Sequence, residues 1–184
     1  MWSRGCPYPC TFCATTTVHG RKLRYKSSDQ CASEIKIQID QYDMPVIAIE
    51  DDLLGPKKST FLDTIRKILP IKKNTSFKVP QGLSVAVMDE ERIDALVRLG
   101  VISGALAIET GSEYVNRHIM KKNVDLDKAK KILRYMRKVG FSATTNFILG
   151  SPNETDSMRD ETIKYLKSID VDWIYIFHAL PLPG

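Results

Sequence analysis

Short apolar runs recur along the chain, and they alternate with longer segments in which apolar residues return every three or four positions. Runs rich in β-branched and aromatic residues predict strands. Five such runs predict strands at residues 45–50, 77–79, 104–109, 142–150 and 173–179. A sixth strand is expected at residues 2–5, where the run is too short to identify by itself.

The segments between these runs have helical spacing. The first helix is predicted to begin at Ser27, because Ser27-x-x-Gln30 is typical of a capping box. Its expected buried stripe comprises Cys31, Ile35, Ile39 and Tyr42. Further helices are predicted at residues 60–69, 89–99, 112–119 with 127–139, and 156–169. The last of these is expected to turn inward Ile163, Leu166 and Ile169.

Alternating strands and helices predict an α/β fold with a parallel sheet and right-handed crossovers. Each strand-helix-strand unit takes about thirty residues, so the 184 residues allow about six strands. A closed eight-fold barrel typically takes about 250 residues. Two candidate folds therefore remain: a doubly wound open sheet, or an incomplete barrel of six strand-helix repeats. No G-x-G-x-x-G follows a predicted strand, so a dinucleotide-binding fold has no support.

Composition narrows the functional classes only slightly. The chain is 43% hydrophobic and 27% charged, which is ordinary for a globular protein. No apolar run approaches the ~20 residues of a membrane span, and no membrane partner is expected. The net charge of +5 comes from scattered lysines, including the doublet Lys121-Lys122, which we interpret as a solvated surface. Nucleic-acid binding is therefore disfavoured.

Polar residues follow several of the predicted strands. Glu50, Asp51 and Asp52 follow the second strand, and Glu109 to Ser112 follow the fourth. The fifth strand leads into a turn at residues 150–154. Ligands of parallel α/β folds bind at the carboxyl ends of strands, so these groups are expected on one rim.

Three cysteines, Cys6, Cys10 and Cys13, follow the first predicted strand in a C-x3-C-x2-C spacing. Three neighbouring thiolates can hold an iron–sulfur cluster but are one short of the usual four ligands. A zinc site would need a further ligand pair, and a disulfide framework does not suit a chain with only four cysteines and enough apolar residues for a core. The fourth cysteine, Cys31, is expected to be a buried helix residue. Free thiols favour a reducing cytoplasm.

This loop resembles the cluster loop of the radical S-adenosylmethionine (SAM) enzymes, in particular their cobalamin-binding subgroup. The residues that carry the resemblance are Ser3-Arg4-Gly5-Cys6-Pro7-Tyr8-Pro9-Cys10-Thr11-Phe12-Cys13. Weaker matches extend over essentially the whole chain at Arg24-Tyr25-Lys26-Ser27, Ile49-Glu50-Asp51-Asp52, Ala107-Ile108-Glu109-Thr110-Gly111-Ser112, Phe147 to Thr155 and Pro181-Leu182-Pro183-Gly184.

The resemblance implies a radical SAM core, a partial (β/α)6 TIM barrel of parallel strands. It also implies a 4Fe-4S cluster whose fourth iron is chelated by SAM. Reduction of the cluster would split SAM into methionine and a 5′-deoxyadenosyl radical, which abstracts hydrogen from a substrate, with methylation as one outcome. The implied partners are a small-molecule or peptide substrate and an electron donor of the flavodoxin or ferredoxin type.

Site residues are carried over position by position. The resemblance implies that Cys6, Cys10 and Cys13 ligate iron and that Phe12 lies by the adenine. Glu50, Asp51 or Asp52 would receive the methionine ammonium. Ribose or methionine contacts would come from Glu109 and Ser112, and the adenine pocket would be lined by Ile148 and Gly150.

Residues 1–184 are expected to form a single radical SAM core domain, as a fragment or minimal form without an amino-terminal cobalamin-binding domain and a carboxyl-terminal extension. Cobalamin would then act only through a domain outside this chain. Val18-His19-Gly20-Arg21 replaces the Tyr-Thr-Arg-Gly stretch of methylthiotransferases, which disfavours that class. The alternative function is a non-catalytic iron–sulfur electron-transfer or sensor module, which would need a fourth protein ligand. A zinc-stabilised nucleic-acid-binding module ranks behind it.

Overall fold

The computed structural model describes residues 1–180. Its strands are β1 (Ser3–Arg4), β2 (Arg24–Tyr25), β3 (Val46–Ala48), β4 (Ser76–Lys78), β5 (Leu83–Ser84), β6 (Ser103–Glu109), β7 (Ser142–Leu149) and β8 (Trp173–His178). Its helices are α1 (Thr15–Val18), α2 (Ser28–Tyr42), α3 (Lys58–Ile68), α4 (Glu90–Leu99), α5 (Leu126–Lys138) and α6 (Asp156–Ser168), with a π-helical turn at Val115–Ile119. The motif Pro181-Leu182-Pro183-Gly184 lies outside the described residues.

The strands form three hydrogen-bonded groups in the described chain. Strands β5, β6, β7 and β8 form a parallel sheet in chain order, and β3 pairs in parallel with β4. The predicted α/β fold with parallel strands is confirmed, and all six predicted strands are present. The two-residue strands β2 and β5 were not predicted, because two residues show no periodicity. Strand β1 pairs with β2 in antiparallel orientation, which differs from the all-parallel expectation.

Helix α2 confirms its predicted start. The Ser27 hydroxyl accepts from the Gln30 amide at 3.1 Å, and the Gln30 side chain accepts from the Ser27 amide at 3.3 Å. Cys31, Ile35 and Ile39 are buried as predicted. The prediction for Tyr42 is wrong: it is 68% exposed, because the helix ends there and Asp43 turns the chain away with φ 46°.

Helix α6 presents a different face from the predicted one. Thr162 and Tyr165 are buried, whereas Ile163 is 41% exposed, so the prediction for Ile163 is wrong. Leu166 and Ile169 pack partly buried against the core. Apolar spacing predicted the wrong face because a polar residue, Thr162, is buried in it. The Thr162 hydroxyl pairs at 3.1 Å with the Thr110 hydroxyl, and a hydrogen-bonded hydroxyl can be buried at little cost.

One hydrophobic cluster joins the two ends of the described chain, from Trp2 to Tyr165. Under the long sheet, Leu106, Ile108 and Phe147 are completely buried. Helix α5 covers this sheet with Leu133 and Met136. No helix within residues 1–180 has the length and hydropathy needed to cross a bilayer.

Candidate functional site

The cysteine loop directly follows β1. All four cysteines are free; Cys6 and Cys10 are partly exposed, and Cys13 is exposed. Burial raises the pKa of both Cys6 and Cys10, and the neighbouring thiols add to that rise. The Lys122 charge opposes it at both positions. The three thiols therefore lie within electrostatic range of one another and of one lysine.

The donor set fits an iron–sulfur cluster better than a closed metal site. Three thiols share one loop, and thiolates are the ligands that such clusters use. Within residues 1–180 no three His, Cys, Asp or Glu side chains are arranged closely enough to hold a lone metal ion. Cys31 supplies no fourth donor, since it is 1% exposed inside helix α2. Burial raises its pKa to about 11.

Asp51 holds β1 in place from the end of β3. One carboxylate oxygen accepts from the Trp2 amide at 2.7 Å, and the other accepts from the Ser3 amide at 2.7 Å and the Ser3 hydroxyl at 2.6 Å. The carboxylate is buried, and burial raises its pKa although the bonds from Ser3 and Trp2 oppose the rise. Its hydrogen-bonding capacity is largely used within the fold.

The other two acids after β3 have different surroundings. Asp52 accepts from the Gly5 amide at 2.9 Å and contacts His19 Nδ1 at 2.7 Å, so it supports the start of the cysteine loop. Glu50 is exposed and accepts from the Gln81 side chain at 2.7 Å. Of the three carboxylates, Glu50 is the one left open to a ligand.

Gly5 makes the entry to the loop possible. Its φ is +90°, and a Cβ there would lie 2.5 Å from the Lys22 carbonyl oxygen. The next amide, that of Cys6, donates to the Gly20 carbonyl at 3.2 Å. A side chain at position 5 would therefore push the first cysteine out of place.

Glu109 forms a buried ion pair at the end of β6. Its carboxylate lies 2.7 Å from the Lys122 ammonium, and the two side chains are 9% and 13% exposed. The same ammonium lies 5.5 Å from the centre of the Phe12 ring, within range of a cation–π contact. Two predicted site residues, Glu109 and Phe12, are thus joined by a lysine that the sequence pattern assigned to the surface.

Residues 115–124, which we call the strap, connect β6 to the cysteine loop. The carbonyls of Ile119 and Met120 accept from the Thr11 hydroxyl at 2.9 Å and the Thr11 amide at 3.0 Å. Buried Asn116 holds the strap, because its side chain exchanges two hydrogen bonds with the Val124 backbone at 2.7 and 2.9 Å. The strap thereby fixes the middle of the cysteine loop.

Ser112 is fully buried, and its hydroxyl donates to Glu161 of helix α6 at 2.5 Å. Gly111 packs against the same helix, where a Cβ would lie 2.3 Å from Tyr165 Cβ. The turn after β6 is therefore pinned to α6. Ser112 is not brought into contact with the cysteine loop in the described contacts.

The turn after β7 is shaped by Glu154. Its Oε2 accepts from the Gly150 amide at 2.5 Å and the Ser151 amide at 3.0 Å, while its Oε1 is buried without a partner in the part of the chain described. Gly150 has φ +80° and is exposed, and Ile148 is partly buried beside it. These residues form one edge of the rim.

The structure adds Lys122, His19, Asn116 and Glu154 to the residues that shape this rim. The lysine doublet gave no sign that the Lys122 side chain is only 13% exposed, because the two residues are chemically identical and differ only in where their side chains point. Glu154 lies within the quoted motif after β7, and its spacing of four from Gly150 was the available signal.

Comparisons with known proteins identify the family to which the chain is similar. Residues 1–166 match the family model described as the radical SAM superfamily. A cytidylyl-2-hydroxyethylphosphonate methyltransferase from Streptomyces wedmorensis is 32% identical over 190 residues, which cover 99% of this chain and 35% of that protein. The chain thus spans about a third of that relative's length.

Two solved structures share the fold. The radical SAM methyltransferase TsrM from Kitasatospora setae, with cobalamin and a 4Fe-4S cluster bound, covers 98% of this chain over 36% of its own, with a TM-score of 0.83 and 15% identity. Coproporphyrinogen III oxidase (HemN) from Escherichia coli, described as a radical SAM enzyme, covers 98% over 43%, with a TM-score of 0.70 and 15% identity. The radical SAM core fold is confirmed, and the family's cofactors are a 4Fe-4S cluster and SAM. The chain belongs to the radical SAM superfamily of enzymes.

Proposed function

We propose that this chain is the catalytic core of a radical SAM methyltransferase, with Cys6, Cys10 and Cys13 as the iron ligands. The observation that carries the proposal is the three-thiol loop, which β1, Asp52 and the strap hold at a rim of polar strand ends. When bound at these cysteines, a 4Fe-4S cluster would supply the electron for the cleavage of SAM to methionine and a 5′-deoxyadenosyl radical, which would remove a hydrogen atom from the substrate.

The chain's own residues would bind and orient SAM. Glu50 is our choice for the methionine ammonium, because it is exposed while Asp51 and Asp52 are engaged by β1, Gly5 and His19. Phe12 is 43% exposed and offers an aromatic face for the adenine.

The remaining roles stay with the residues named from the sequence. Glu109 and Ser112 would serve the ribose or methionine, directly or by supporting the rim. Ile148 would line the adenine pocket, and Gly150, without a side chain, would let the ligand approach the backbone. Residues 1–184 would act as a single core domain.

Methylation is the favoured outcome because the phosphonate relative and TsrM are both described as methyltransferases. The substrate would be a small molecule or a peptide, and electrons would come from a flavodoxin- or ferredoxin-type donor. Cobalamin, which TsrM binds, would act here through a domain outside this chain. The free thiols suit a reducing cytoplasm.

Anaerobic reconstitution of the full chain with iron and sulfide tests this function. We expect about four irons per chain, and 5′-deoxyadenosine after addition of dithionite and SAM. Cys10→Ala should lose both the iron and the product. Cys31→Ala is the matched control and should keep both, because Cys31 lies in the core. A full cluster that yields no 5′-deoxyadenosine would contradict the proposal and favour an electron-transfer or sensor module.

A further inference from the structure

We propose that Lys122 raises the reduction potential of the cluster held by the cysteine loop, and that the Glu109–Lys122 pair and the strap serve to place its ammonium there. The inference rests on the proposed function and deepens it. It assigns an electrostatic role to a residue that lies outside the cysteine loop and is not a ligand of the cluster.

The position of the ammonium is the first argument. Lys122 is 13% exposed at its side chain, and Glu109 opposite is 9% exposed. A lysine this buried loses hydration that one ion pair compensates only in good geometry. Its ammonium also lies 5.5 Å from the Phe12 ring, between Cys10 and Cys13 in the chain, so the charge is directed at the cysteine loop rather than at solvent.

Backbone strain is the second argument. Six non-glycine residues in residues 1–180 have positive φ, and three of them belong to this arrangement: Glu109 at 73°, Lys121 at 51° and Asn123 at 55°. A non-glycine residue in the left-handed region costs free energy and persists only where its surroundings enforce it. The two residues that flank Lys122 and the residue that pairs with it all adopt this conformation.

The strap is the third argument. Asn116 is 2% exposed, and its carbonyl accepts from the Lys122 amide at 3.0 Å. Thr11 binds the carbonyls of Ile119 and Met120 from the other side. Lys122 and the cysteine loop are therefore attached to the same segment, which keeps the ammonium beside the loop.

A fixed positive charge favours the more negative of two redox states. A cluster gains one negative charge on reduction, and its potential depends on nearby charge, hydrogen bonds and solvent exposure. In a partly buried site the attraction is screened less than in water.

Lys122→Met in the reconstituted full chain tests the inference, with Lys121→Met as the matched control. Both variants remove one positive charge from adjacent positions, but Lys121 is exposed. In redox titrations followed by electron paramagnetic resonance without SAM, we expect Lys122→Met to lower the ratio of reduced to oxidised cluster about tenfold at fixed potential. That equals ~59 mV for a one-electron couple. Lys121→Met should leave the ratio unchanged.

Further variants distinguish a change in the reduction potential from an effect of misfolding. Lys122→Arg keeps the charge and should keep the potential. If Lys122→Met binds less iron than the parent, Lys122→Gln replaces it, because its amide can still pair with Glu109. Equal potentials for a fully loaded Lys122 variant and the parent would overturn the inference. A weaker SAM affinity with an unchanged potential would also overturn it, since Lys122 would then act on the cosubstrate.

The two proposals fail in distinguishable ways. Iron content and 5′-deoxyadenosine formation in the parent chain test the proposed function alone. The potential of the loaded cluster tests Lys122 alone, because it is compared only among variants that carry the same amount of iron.

Discussion

The two halves of the molecule hold their strands in different ways. In the amino half, β1 to β4 are two or three residues long, and β1 is bound to the end of β3 by the Asp51 carboxylate. In the carboxyl half, β6 and β7 are seven and eight residues long and pair along six registered positions. Strand β1 is thus held by buried side-chain hydrogen bonds, whereas β6 and β7 are held by a backbone ladder whose register shifts once, between Ala107 and Glu109.

The difference matches what each half contributes to the rim. The cysteine loop follows a strand of only two residues, and the acids after β3 hold that strand and the start of the loop. The long strands carry the apolar core and deliver only their last residues to the rim. The comparison predicts that core damage in the carboxyl half lowers global stability, whereas loss of a carboxylate in the amino half acts locally on the loop.

The largest effect is expected for Phe147→Ala in β7. Phe147 is completely buried, and its loss leaves a cavity under the long sheet. We expect the free energy of unfolding to fall by about 4 kcal/mol, measured by urea denaturation. Ile176→Ala is the control in the paired register position on β8, where the side chain is 54% exposed, and it should cost less than about 1 kcal/mol. Equal losses would remove the contrast between core and edge.

Asp51→Asn should have an intermediate effect confined to the amino half. The amide nitrogen would replace one of two acceptor oxygens and face the buried backbone donors of Trp2 or Ser3. We expect a loss of about 2 kcal/mol, with faster hydrogen exchange of the Ser3 amide and unchanged exchange in β7. Asp160→Asn, an exposed site on α6, is the control. Faster exchange in both halves would show that the carboxylate supports the whole fold.

Cys31 gives the smallest effect at neutral pH, because its contribution to the pH dependence appears only above pH 9.0, the ordinary pKa of the thiol. Burial raises its folded-state pKa from 9.0 to about 11. Between these values the unfolded chain loses the thiol proton while the folded chain keeps it, so stability falls as pH rises through this window. We expect Cys31→Ala to show a fall that is smaller by about 2 kcal/mol than that of the parent. Parallel pH profiles of the two proteins would contradict the burial of this thiol.

Apolar periodicity predicted an element correctly where that element is long and buries one face. Helix α4 was predicted at residues 89–99 and spans Glu90–Leu99, with Asp89 and Gly100 as its caps, because capping residues act on the backbone next to them. It failed for Ile163 and Tyr42, where a paired threonine and a helix end changed which side chains meet the core. Periodicity also missed β2 and β5, because a strand of two residues is too short to show an alternating pattern.

The chain's local chemistry determined the alternation of strands and helices, the three-thiol loop and the acids that follow β3. These depend on neighbours a few residues apart. The tertiary structure alone decided which of three adjacent acids stays exposed, that Lys122 rather than Lys121 turns inward, and that the strap reaches Thr11 from more than a hundred positions away. The physical reason is that burial and charge pairing depend on the elements packed around a side chain, and residue order does not contain that information locally.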